Sequence, residues 1–102
     1  MTSLHIEHAV PDFAAWKRTF DAYAGHRARG GVRAYRISRP IDDPGYAIID
    51  LDFDDPTAAT AFLAMLRGLW ERVDGTIVIQ PRATIVETIE EQPTLVASPR
   101  AT

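Results

Sequence analysis

The sequence predicts an α+β domain in which strand, helix, strand, strand, helix and strand follow one another along 102 residues. Three observations carry this prediction. Apolar side chains alternate with others at 3–10 and 46–53, the period of a strand with one dry face. Two other stretches space their apolar residues three and four apart, the period of a helix, and each follows an aspartate suited to cap it. A run rich in Pro, Asp and Gly at 40–45 joins the two middle strands as a hairpin. Units in this order pack as an antiparallel sheet with both helices on one face, the ferredoxin-like βαββαβ arrangement.

In the first strand, Leu4, Ile6, His8 and Val10 share one face and His5, Glu7 and Ala9 the other; the first set is the better core face. Pro11 stops the strand, and Asp12 can accept hydrogen bonds from free amides of the next helix. Phe13, Trp16, Phe20, Tyr23 and Arg27 then form the helical stripe, with Gly25 as the expected terminator. After Gly30 and Gly31, residues 32–39 read as the second strand. The third, residues 46–53, sends Ala47, Ile49, Leu51 and Phe53 one way and Ile48, Asp50 and Asp52 the other.

Asp55 and Pro56 start the second helix, since a proline at the first helical position gives up an amide that would have no partner anyway. Its expected buried stripe is Ala58, Phe62, Met65, Leu66, Leu69 and Val73, with Trp70 at the edge and Asp74 and Gly75 ending it. The last strand runs through 76–90, and Pro81, which cannot donate to a ladder, implies a bulge or an edge position there. Residues 1–90 are thus one domain. The tail at 91–102, rich in Pro, Ser, Thr and Ala, is expected to pack on a partner subunit.

Composition removes several functions. With 46% hydrophobic and 25% charged residues, the chain has enough apolar content for a core. It has no cysteine, so disulfides, thiolate nucleophiles, iron–sulfur clusters and cysteine zinc sites are excluded. A net charge of −3 argues against nucleic acid, because Arg27, Arg29, Arg33, Arg36 and Arg39 are followed at once by Asp42 and Asp43. No apolar run nears the roughly 18 residues of a membrane span, and a cytoplasmic location is expected.

The run from His8 to Asp21, together with Gly31-Val32, Tyr35-Arg36, Asp43-Pro44, Asp52-Phe53-Asp54 and Ala61-Phe62, resembles small bacterial proteins of the dimeric α+β barrel superfamily. That superfamily includes the antibiotic biosynthesis monooxygenase-like proteins. The resemblance spans residues 5–90 and implies a homodimer whose sheets meet face to face, with a ligand cavity between sheet and helices in each subunit. Relatives of this kind include monooxygenases needing no metal or organic cofactor, haem-degrading enzymes, and isomerases or cyclases. Fold alone does not choose among them.

His8 shares a face with Leu4 and Ile6, which puts an imidazole in or beside such a cavity. A base that titrates near neutral pH suits proton abstraction from a phenol or enol; the bland alternative is a satisfied strand-end histidine bonded near Asp12. Trp16, Phe20, Phe62 and Trp70 suit the walls of a flat apolar pocket, although core packing is the favoured reading for Phe20 and Phe62. Tyr35 and Arg36 are adjacent on a strand and face opposite sides, so one of them is expected to reach the cavity as an oxyanion donor. His5, Glu7, Asp50 and Asp52 offer four potential metal ligands on neighbouring strands. A charged dimer seam neutralised by Arg33, Arg36 or Arg82 is the better reading, and no H-E-x-x-H motif is present.

The expected function is therefore a small-molecule enzyme of the cofactor-independent monooxygenase-like or cyclase type, acting on a flat, partly aromatic compound. No cofactor and no metal are expected. A non-catalytic dimeric protein with a filled cavity is the alternative. Haem binding is a third reading, weakened because the second helix carries no histidine and His26 lies at or beyond the end of the first.

Overall fold

The structure of the protein, a computed structural model, describes residues 1–94. Its elements are β1 (Thr2–Ala9), α1 (Phe13–Ala22), α2 (Ala24–Arg29), β2 (Ala34–Ser38), β3 (Tyr46–Phe53), α3 (Pro56–Val73) and β4 (Ile79–Glu87). The strands form one antiparallel sheet in the order β2-β3-β1-β4. This is the predicted ferredoxin-like α+β fold. The expectation for the tail concerns residues that, from 95 onward, lie outside those described.

Alternation fixes the two faces of the sheet. The central pair β1 and β3 sets Leu4 opposite Leu51, Ile6 opposite Ile49 and His8 opposite Ala47, all buried beneath the helices. Phe53 completes this layer and packs on Phe62 of α3 with ring centroids 5.6 Å apart. Both helix starts follow the caps expected: Asp12 accepts from the Ala15 amide at 3.1 Å, and Asp55 from the Ala58 amide at 2.9 Å. Among the described residues no helix is long and apolar enough to cross a membrane.

Three details differ from expectation. Gly25 does not terminate the first helix. The helix breaks at Tyr23 (φ −98°, ψ 18°) and resumes as α2 with Gly25 inside it, because a glycine in a helical conformation weakens a helix without ending it. The chain turns instead at Gly31, where φ is +90°, just after Gly30, whose position against Phe62 leaves no room for a Cβ (2.5 Å to the ring).

Second, Ala59, Phe62 and Leu63 are the deeply buried residues of α3, while Met65, Leu66, Leu69 and Val73 are less buried. The first half of α3 sits on the sheet; the second half borders a cavity. Third, β4 begins at Ile79; residues 75–77 form a turn, and the buried Val78 bridges back to Asp74. Pro81 lies on an edge strand, as its missing amide requires. Beside it the register shifts: β1 advances from Glu7 to Ala9 while β4 goes from Arg82 to Ile79, and Gln80 adopts φ +51° to absorb the extra residue.

Candidate functional site

Between the dry face of the sheet and the helices lies a cavity of about 110 Å³. Trp16 and Phe20 of α1, Phe62 and Trp70 of α3, and His8 of β1 all line it, so the expected aromatic walls and the expected base come together. Small-molecule sites commonly measure about 300–1,000 Å³, and an engineered apolar cavity of about 150 Å³ can hold benzene. The space here is smaller than either, so it could take at most about one ring. Its small size falls between the open pocket and the filled interior that the sequence left as alternatives.

His8 is 2% exposed. Its Nδ1 lies 3.2 Å from the Ala9 carbonyl oxygen, which can only accept, so Nδ1 carries the proton and Nε2 is the basic nitrogen of the neutral ring. The ring meets Trp16 edge-on with centroids 5.6 Å apart. Burial pushes the imidazole pKa below its ordinary value, only partly opposed by the backbone contact. A neutral base at neutral pH follows. The bond near Asp12 does not form, because that carboxylate caps α1.

Tyr35 stands opposite Leu51 on the helix side, but it packs against the edge of Phe20 (centroids 5.1 Å apart) and is half exposed, not a lining residue. Arg36 stands opposite Asp50 and projects from the other face, its Nη2 3.9 Å from that carboxylate. Neither of the pair is among the residues that line the cavity. Strand alternation excludes Arg36, and the Phe20 ring stands beside Tyr35.

The cation at the cavity is Arg27 of α2, which sequence reasoning placed on the apolar stripe without giving it a role. It is 8% exposed, its guanidinium carbon lies 3.7 Å from the centre of the Phe20 ring, and its Nη1 donates to the Phe20 carbonyl. Burial draws its pKa below the ordinary arginine value, with Tyr35 and Asp21 opposing. Asp21 itself is engaged by Lys17 at 2.7 and 2.9 Å. The signal in the sequence was an arginine in register with Phe13, Trp16, Phe20 and Tyr23. His26, also on α2, lines the cavity and packs against the Tyr23 ring at 4.9 Å.

The helix-free face is wet. His5 Nδ1 is 2.6 Å from Asp50 and its Nε2 2.8 Å from Glu7. Carboxylates only accept, so both contacts are made when the imidazole is protonated. Glu7 and then Asp50 raise the His5 pKa, while His5 and Tyr46 lower that of Glu7. Tyr46 donates to Glu7 at 2.9 Å, Arg82 reaches the Tyr46 hydroxyl at 3.1 Å, and Ser3 donates to Asp52 at 2.6 Å. Arg33 does not join this group; it pairs with Asp54. Among the described residues no group of three His, Asp or Glu side chains is placed to hold a metal ion.

No family model matches the sequence, and no curated protein matches it. Solved structures do match the fold. A provisionally named antibiotic biosynthesis monooxygenase of Deinococcus radiodurans superposes with TM-score 0.69 at 17% identity, covering 92% of this chain and 98% of that one. SnoaB, a cofactor-independent oxygenase from Streptomyces nogalater solved as a point mutant, gives 0.72 at 15% identity over 91% and 97%. MhuD, a haem degrader from Mycobacterium tuberculosis, gives 0.53 at 11% identity over 89% and 99%. A protein of this fold from an uncultured marine organism is described as dimeric. At these identities the likeness establishes the fold.

Proposed function

We propose that the protein is a cofactor-independent small-molecule enzyme, monooxygenase-like or cyclase-like, whose cavity takes a planar compound of about one ring and whose His8 abstracts a proton from it. The observation that carries this reading is a buried, neutral imidazole with Nε2 as its basic nitrogen, lining a cavity walled by Trp16, Phe20, Phe62 and Trp70. Removing a proton from a phenol or enol leaves an electron-rich anion. That anion can reduce O₂, one oxygen atom entering the product and the other leaving as water, or it can close a ring on an internal electrophile. Trp16 and Trp70 hold the ring flat, and exclusion of water strengthens every charge contact inside.

The test is oxygen uptake above the uncatalysed rate across a panel of one-ring phenols and cyclic β-diketones, with product mass alongside to detect cyclisation. A substrate consumed by the protein and spared by His8→Gln supports the reading. If His8→Gln turns it over equally well, His8 is not the base.

The small cavity favours a second reading, a non-catalytic binding or structural protein; it predicts no turnover on the panel. Haem binding fits poorly. A porphyrin is larger than the ligands of sites several times this size, and haemin should leave its Soret band unshifted on titration. The proposal includes a homodimer joined through the helix-free faces, supported by a dimeric protein of the same fold and by a half-exposed, internally bonded polar face. Sedimentation at micromolar concentration tests it, and a monomer would remove it.

A further inference from the structure

An arginine that is only 8% exposed normally faces a carboxylate, since taking its charge out of water is costly without an opposing one. Among the described residues Arg27 has no carboxylate bonded to it: its hydrogen bond goes to the Phe20 carbonyl, and its guanidinium lies over the faces of Phe20 and Tyr35. Arginine carries five N–H donors in a planar fork, and one bond to a carbonyl leaves most of them available. The same side chain lines the cavity.

We propose that Arg27 makes this cavity selective for small organic anions, an aromatic or enolic acid whose carboxylate or enolate oxygen meets the guanidinium while its ring lies among Trp16, Phe20 and Trp70. This rests on the cavity being a ligand site, the reading given above, and adds the charge of the ligand. Phe20 positions the cation from both sides, through its carbonyl and its ring, so the fork is held before any ligand arrives and little ordering remains to oppose binding. A neutral ligand of the same shape would bury the cation further and give it no counter-charge.

Benzoate and benzamide share a shape and differ in charge, and the indole N–H signals of Trp16 and Trp70 report on the cavity directly. Titration of the intact chain followed by NMR should show benzoate shifting these signals at a concentration at least about tenfold below benzamide, the factor expected of one charge-assisted contact. Arg27→Met should abolish the preference by weakening benzoate, and Arg27→Lys should keep part of it. Equal affinity for the two probes in the wild-type chain overturns the proposal and leaves the cavity a ligand site. Shifts from neither probe overturn both. Should Arg27→Met fail to fold, the wild-type comparison still decides.

Discussion

His5 and His8 lie three positions apart on one strand and meet opposite conditions. His8 points to the dry face, where burial drives its proton off and a backbone carbonyl is its hydrogen-bond partner. His5 points to the wet face, where Glu7 and Asp50 hold a proton on. An odd spacing in a strand is enough to make one imidazole a free base and its neighbour a bound acid. The lesson is that the role of a histidine here is set by which side of the sheet it faces, before any neighbour in sequence is considered.

The contrast between faces is broken most sharply at Ile48 and Ile49. Ile49→Ala should cost about 2–5 kcal/mol in urea unfolding, as a large-to-small change in a packed core does, and Ile48→Ala under about 1 in the diluted monomer. The proposed dimer should add to the loss at Ile48 at high protein concentration, an addition that shrinks on dilution; a loss at Ile48 independent of concentration would show that no second copy covers this face.

The next effect is on pH dependence. His8 has a folded pKa below its unfolded value, so the unfolded chain takes up the proton first. Its contribution is intact above about 6.5, falls as pH drops below that, by at most about 1.4 kcal/mol per pH unit, and levels off below the folded pKa. His5 runs the other way: its contribution is present below about 6.5 and lost as pH rises through its raised folded value. Unfolding free energies of His8→Leu should therefore lose part of the acid-side slope, and those of His5→Gln part of the fall on the alkaline side. Identical pH profiles for the two variants would contradict the opposite environments.

A smaller effect sharpens the wet face itself. Glu7→Gln should bring the His5 pKa down by more than Asp50→Asn does, because the Glu7 contact raises it most. Titration of the His5 ring signals by NMR measures both. The smallest effect belongs to Lys17→Ala, which removes an exposed pair one helical turn apart from neither face and should cost about 0.3–0.5 kcal/mol in thermal unfolding.

Much of this architecture was legible because its periods are short and strict. Alternation gave Leu4, Ile6 and His8 one face and His5 and Glu7 the other, and antiparallel neighbours then brought Asp50 to His5. The two aspartate caps were equally readable, since the side chain and the amide it accepts from are three residues apart. Arg27 was given no role at the site for a physical reason. A cation on an apolar stripe can send its head to water or fold it over a ring, and only the position of Phe20 decides. Which of Tyr35 and Arg36 faces the helices was likewise open in the sequence, because adjacent strand residues alternate and only pairing with β3 decides. The size of the cavity had no local signal at all, because it depends on how the second half of α3 stands off the sheet.

The bulge at Gln80 and the proline after it bear on how the molecule avoids its own kind of misassembly. An open sheet margin is a template on which extended chains can accumulate into fibrils. Here one margin is interrupted by Pro81 and a left-handed residue, and the other is a five-residue strand carrying Arg36. Neither end invites another strand to add, so ribbon-like growth is resisted at both borders.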